Sequence, residues 1–212
     1  MIVSQRYKCV YMPPGKTGST SVRTALEMMG GDPIIWGHSK YGKGTKWKHN
    51  EEGDITHSCH LPEEFSDYYI FGSVRNPYTR HISRYLHVVT TENRPPTQYD
   101  FELFVKEEIE KCKSCYEILN LREDYIPPTG CAPFKIHALI RTETLGEDFN
   151  RLPFVKKQMD FPHRYQNPNP GLFFTKETAQ ILQKYHIKDF ETFGYSKESP
   201  LIKKSITQML AC

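Results

Sequence analysis

Short apolar, β-prone runs alternate with amphipathic helical segments along this chain. Tyr7-Lys8-Cys9-Val10-Tyr11-Met12, Asp67–Val74 and Phe134–Arg141 each read as a buried strand. After the first, Val22, Ala25, Leu26 and Met29 fall at helical spacing on one face. After the second, Pro77 suits a first helical turn, and Tyr78, Ile82, Leu86 and Val89 continue an apolar stripe. Further helices are predicted around Phe101, Phe104, Val105 and Ile109, from near Thr144 to Leu152, and through Ala179, Leu182 and Tyr185. Gly30-Gly31-Asp32-Pro33 opens an irregular stretch to residue 56. Arg94-Pro95-Pro96, Ile126–Gly130 and residues 162–171 are further breaks. This alternation predicts an α/β fold with a mostly parallel central sheet flanked by helices. With no internal repeat or low-complexity segment, one domain over residues 1–212 is expected.

Ligands of such sheets bind at the carboxyl ends of the strands. Three ends are so placed: Pro13–Ser19, Ser73–Pro77 and Arg141–Glu143. The first carries Pro14-Gly15-Lys16-Thr17-Gly18-Ser19-Thr20-Ser21. Glycine backbone, one lysine and four hydroxyls at a helix N-terminus make an anion cradle, most naturally for phosphate. A capped turn alone would need one hydroxyl and neither the lysine nor the glycines. The second end reads Val74-Arg75-Asn76-Pro77-Tyr78, with Arg80, Ser83 and Tyr85 following. An arginine fork at Arg75 and the hydroxyl of Ser83 could clamp a second phosphate. A ligand phosphorylated at two positions fits both ends.

Composition narrows the partners. The 212 residues are 38% hydrophobic and 25% charged, as in an ordinary soluble globule. A net charge of +3 is too small to argue for nucleic acid or a membrane surface. No apolar stretch approaches the roughly 20 residues of a membrane span. No charged region followed by an apolar one precedes the first strand, so a cytoplasmic protein with reduced thiols is expected. The six cysteines are scattered, and Cys112-Lys113-Ser114-Cys115 has no second close pair to complete a zinc site.

With these motifs in view, the chain resembles the sulfotransferases that use 3′-phosphoadenosine 5′-phosphosulfate (PAPS), of the carbohydrate and family 2 type. The first turn is similar to their 5′-phosphosulfate loop, with Lys16, Thr17, Gly18, Ser19, Thr20 and Ser21 at matching positions. Arg75 and Ser83 match the two ligands of their 3′-phosphate motif. Cys59-His60-Leu61-Pro62 resembles the Thr-His-Leu-Pro segment of cytosolic members, whose histidine is the catalytic base. The role falls on His60, and His57 is compatible with the His-rich segment of the glycan 2-O-sulfotransferases. Ser58 stands where cytosolic members carry a lysine. Ile140-Arg141-Thr142-Glu143-Thr144-Leu145 with Asp148-Phe149 resembles the third-strand segment of carbohydrate sulfotransferases, and Phe190-Glu191 through Phe193-Gly194-Tyr195 resembles their ending. His163–Pro168 resembles their late loop over the nucleotide, which adds Arg164.

The resemblance implies a P-loop-like three-layer domain that binds PAPS as donor and releases PAP, without a metal. It implies in-line transfer of a sulfuryl group to an acceptor hydroxyl, with a lean toward carbohydrate. A histidine suits the proton removal, and Lys16 with the N–H groups of Thr17–Thr20 suits the charge on the leaving oxygen. Trp36–His49 interleaves aromatics with lysines and could touch the acceptor, or be a solvated loop.

Two other readings stand beside this one. Gly15-Lys16-Thr17 matches the end of a Walker A loop, but Val10 occupies the first glycine position. The second strand end also lacks an aspartate for magnesium, against an NTP-dependent kinase. A non-catalytic module could keep the anion sites without a base.

Overall fold

A computed structural model describes residues 1–31, 34–35, 61–121, 131–132, 134–162 and 169–198. In chain order the elements are β1 (Ile2–Ser4), β2 (Cys9–Met12), α1 (Ser19–Met28), β3 (Ile34–Ile35), β4 (Leu61–Pro62) and β5 (Tyr69–Val74). Next come α2 (Pro77–Thr91), α3 (Gln98–Glu108), α4 (Cys115–Ile118), β6 (Cys131–Ala132) and β7 (Ala138–Arg141). The last are α5 (Leu145–Asn150), α6 (Lys176–Tyr185) and α7 (Ile187–Phe193). No helix among the described residues is long and apolar enough to cross a membrane. The chain divides into two compact units, Met1–Arg75 with Glu117–Tyr165, and Asn76–Tyr116 with Gln166–Cys212.

The first unit holds a five-stranded sheet in the order β3-β1-β2-β5-β7. β2, β5 and β7 are mutually parallel, and β1 runs antiparallel to both its neighbours. The α/β class with a mostly parallel sheet is therefore what forms. β2 is buried along its whole length, and β5 from Ile70 onward. That is why both read as continuous apolar runs rather than alternating ones. Cys9, Tyr11, Phe71 and Ile140 pack with Val22, Ala25 and Leu26 of α1 and with Leu145 and Phe149 of α5. Gly72 points the other way, where an added Cβ would lie 2.7 Å from Leu119 Cδ2. β4 and β6 form a separate two-stranded ribbon.

Two strands differ from expectation. β1 is only three residues long, too short for a periodic signal, and joins β2 through a turn with Lys8 at φ 45°. The third strand, expected from Phe134, begins at Ala138. His137 explains the late start. Its N–H donates to the Ile70 carbonyl (2.7 Å), while its ring Nδ1 accepts the Ile70 N–H (2.9 Å). A side chain thus occupies a place in the ladder that a backbone carbonyl would fill.

The second unit is helical. Asn76 caps α2 by accepting from Tyr78 N–H (2.9 Å), with Pro77 in the first turn. Tyr78, Tyr85, Phe101, Phe174 and Phe190 share one core. Tyr78 and Phe101 each meet Phe174 edge-to-face at 5.0 Å. α7 ends at Gly194, at φ 66°, where Tyr195 N–H returns to the Phe190 carbonyl (3.1 Å). Asp189, fully buried, accepts the N–H groups of Cys115 (2.9 Å) and Tyr116 (2.7 Å) at the start of α4. The Arg80 guanidinium lies 3.9 Å from the same carboxylate and donates twice to the Lys113 carbonyl, at 3.2 Å each.

Beside this cluster two buried imidazoles meet, His81 and His186, with ring centroids 4.5 Å apart. A carbonyl only accepts, so His81 Nδ1 carries the proton toward Pro77 O (2.9 Å). Burial first, then the nearby His186 and Arg80, holds His81 well below the usual imidazole range. Burial, with Arg80 and Arg84, lowers His186 to about 3. An unfolded histidine titrates near pH 6.5, so below that pH the unfolded chain takes up protons that the folded one refuses. Stability is therefore full above about pH 6.5 and falls as the pH drops toward 3, by up to about 1.4 kcal/mol per pH unit for each histidine. Urea melts between pH 6.5 and 5, above the main carboxylate range, should show this slope. His186→Asn should flatten it by about half, and an unchanged slope would remove His186 from the account.

Candidate functional site

β2 delivers the chain to its carboxyl end at Met12, and α1 starts seven residues later at Ser19. The backbone alternates in hand across the intervening loop. Lys16 has φ 69° and Gly18 φ 89°, with Thr17 between them on the ordinary negative side. Such alternation gathers successive N–H groups into an anion-binding concavity. The first intrahelical bond of α1 runs from Val22 N–H to Gly18 O (3.1 Å), so the N–H groups of Ser19 and Thr20 lie outside the helical ladder. Gly18 supplies no side-chain cap, and the first turn carries no acidic residue. A helix end of this kind has a positive dipole that favours negative charge.

Thr17 is fully buried. Its hydroxyl donates to the Pro14 carbonyl (2.6 Å) and also meets Ser73 Oγ (2.6 Å), which in turn meets the Tyr11 hydroxyl (2.5 Å). The Thr17 side chain is thus turned into the protein. Ser21 is likewise buried, whereas Lys16, Ser19 and Thr20 are half-exposed.

β5 lies beside β2 and parallel to it, with Tyr11 opposite Phe71 and Met12 opposite Gly72. That register sets Arg75 next to the loop. Its Nη1 donates to the Lys16 carbonyl at 3.1 Å. Partial burial first, and repulsion from Arg75 second, lowers the Lys16 ammonium below the ordinary lysine range. Two cations share one end of the sheet. On its other side β5 is tied at the same level, by Thr142 Oγ1–H donating to Val74 O (3.0 Å).

A family model described as "Sulfotransferase family" matches residues 1–196. The chain belongs to the sulfotransferase family. Neither a comparison with curated proteins nor one with solved structures gave a match. Sulfuryl transfer is the general reaction of the family, and this sulfotransferase is a transferase.

Among the residues expected at the site, Lys16, Thr17, Gly18, Ser19, Thr20, Ser21 and Arg75 come together in the first unit. Ser83 is half-buried on α2, in the second. His57, His60 and Arg164 lie outside the described residues, as do Ser58, Cys59 and the segments 36–49 and 163–168. Leu61, which follows His60 in sequence, is fully buried in β4. Tyr11 and Ser73 escaped the sequence reading, although a serine inside the apolar run Tyr69-Ile70-Phe71-Gly72-Ser73-Val74 was the available signal. Of the two CxxC cysteines, Cys112 directs its thiol to the Glu108 carbonyl (3.0 Å), and both are buried. No group of three metal-binding side chains occurs among the described residues.

Gly18 is where the loop tolerates least change. Its positive φ strains any other L-residue, and an added Cβ would sit 2.6 Å from Leu145 Cδ2 at the start of α5. Gly18→Ala should cost about 2 kcal/mol in denaturant melts at unchanged slope. A loss below about 0.5 kcal/mol would mean that the loop readily adopts another shape.

Proposed function

We propose that this sulfotransferase moves a sulfuryl group from PAPS to a carbohydrate hydroxyl by in-line displacement. The observation that carries the reading is the pair of neighbouring cations, Lys16 and Arg75, at the ends of adjacent parallel strands. Like charges held together and partly desolvated are unfavourable until an anion joins them. A donor bearing phosphate at both ends of adenosine supplies charge for both. In this assignment Lys16 and the N–H groups of Thr17–Thr20 form a P-loop-like cradle for the 5′-phosphosulfate. Arg75 takes the 3′-phosphate, with Ser83 as its second ligand and Arg164 as a contact from the late loop.

His60 is the base in this assignment, with His57 as the alternative. It accepts the acceptor hydroxyl's proton as the oxygen bonds to sulfur. The sulfur–oxygen bond to the 5′-phosphate breaks and its electron pair stays on the bridging oxygen. Lys16 and the loop N–H groups hold that developing charge, a task fixed donors perform with little reorganisation. They do the neutralising that a metal ion does in other phosphoryl-type transfers.

PAP should raise the melting temperature without magnesium. Lys16→Ala and Arg75→Ala should each weaken PAP at least about tenfold, as expected for a lost charge-assisted bond. His60→Ala should leave PAP binding near wild type and reduce labelled-sulfate transfer by at least about a hundredfold. Unaltered PAP affinity in Arg75→Ala would refute the clamp. Near-normal transfer by His60→Ala would move the base to His57.

The depressed Lys16 pKa gives an independent test. Phosphate binding favours the ammonium form, so binding takes up a proton once the pH exceeds that pKa. PAP affinity should fall on the alkaline side, starting below the roughly 10.4 of an ordinary lysine. Lys16→Arg stays charged and should lack this fall. An identical alkaline profile in both proteins would mean that Lys16 does not face the ligand.

A further inference from the structure

The hydroxyls beneath the loop have a fixed sense of donation. The Pro14 carbonyl can only accept, so the single hydroxyl proton of Thr17 points at it (2.6 Å). Thr17 Oγ1 must then accept from Ser73 (2.6 Å), whose one proton is thereby committed. Ser73 must in turn accept from the Tyr11 hydroxyl (2.5 Å). The relay runs one way, from Tyr11 to Ser73 to Thr17 to Pro14, and all three hydroxyl-bearing residues are fully buried.

Each end of this relay is anchored in something rigid. Tyr11 stacks on Phe71, its parallel partner in β5, at 4.9 Å. Ser73 is in β5, two residues before Arg75, which follows the end of the strand. Thr17 lies between the two left-handed residues Lys16 and Gly18. A non-glycine residue keeps such a backbone only where its surroundings over-determine it. The Thr17–Pro14 bond closes the turn that contains Lys16, and the Ser73–Thr17 bond fastens that turn to β5.

We infer that Tyr11 and Ser73 are positioning residues, which hold the Lys16 loop at a set distance from Arg75 and so match the protein to a ligand with two separated phosphates. The inference rests on the PAPS reading for its ligand, but the ordering of the loop does not. Ser73 reaches the loop from inside the sheet, and Arg75 reaches it through the Lys16 carbonyl (3.1 Å). Two ties, one from β5 and one from the residue just past its end, fix both the height and the tilt of the loop. A buried relay with every proton committed offers no alternative arrangement of equal energy.

The test uses Ser73→Ala and Tyr11→Phe; the second keeps the ring and its stacking, and so keeps the fold if the first does not. Without ligand, amide hydrogen exchange at residues 15–20 should quicken at least about fivefold in both variants, while exchange within β2 and β5 stays slow. In calorimetric titrations, Ser73→Ala should lose about tenfold in PAP affinity, as for one buried hydrogen bond, and Tyr11→Phe somewhat less. Adenosine 5′-phosphate, with one phosphate, should lose less than about threefold, so the preference for the doubly phosphorylated ligand shrinks. Ser73→Thr, which retains the hydroxyl, should recover that preference. Unchanged exchange at residues 15–20 in the folded variants overturns the inference whether or not PAP binds. Equal losses for the two nucleotides overturn the spacing role. If wild-type protein ignores PAP while loop exchange still quickens, the PAPS reading fails and the positioning role stands.

Discussion

Everything at this site depends on keeping Lys16 and Arg75 together. Left to themselves, two cations on adjacent loops would turn apart into water. Here the Arg75 guanidinium is spent partly on the Lys16 carbonyl, which draws it toward the loop despite the like charge. The parallel pairing of β2 with β5 makes the approach unavoidable, because parallel neighbours end on the same edge of a sheet. In the proposed reading, repulsion between the two is a stored preference for anions rather than a defect. Burial first, and this repulsion second, lower the basicity of Lys16.

The loop could not hold this arrangement by sequence propensity alone. Lys16 sits in a backbone region that costs a side-chain-bearing residue about 1–2 kcal/mol. Gly18 meets the same demand without cost, and its missing side chain also makes room for Leu145. The remaining restraint comes from within the sheet, through hydroxyls that a purely apolar strand could not provide. β5 thus carries two functions on alternating positions. Phe71 stacks on Tyr11 and packs on the α1 side, Ser73 reaches the loop from that same face, and Gly72 lets Leu119 approach from the other.

Much of this was legible in the sequence because buried parallel strands announce themselves. The apolar runs at Cys9–Met12 and Tyr69–Val74, each followed by a turn and an apolar helical stripe, mark the two strands whose carboxyl ends lie side by side. What escaped depended on pairings between distant residues. The ring of His137 replaces a ladder carbonyl only because Ile70 lies across from it. Asp189 reads as one more charge on a short helix, yet it is buried where two N–H groups of α4 need an acceptor. No local pattern marks Ser73 as half of a bond to Thr17, 56 positions away in the chain. Periodicity reports which face is buried, but it says nothing of which buried hydroxyls meet.

The segments that resemble the family's signatures therefore serve two kinds of purpose. Ile140, Leu145 and Phe149 are core residues, and the nearby Asp148 carboxylate accepts from Arg141 N–H (2.9 Å) and Thr144 Oγ1 (2.8 Å) to fix the turn into α5. Phe190 and Gly194 likewise pack and terminate α7. These positions serve the fold, and alone they would say little about chemistry. The loop is different, since the left-handed backbone of Lys16 costs stability where it stands. A protein selected only for stability would place an ordinary backbone at Lys16. That this backbone coexists with a repelled cation pair and a fully committed hydroxyl relay sets the loop apart from a turn that merely connects a strand to a helix.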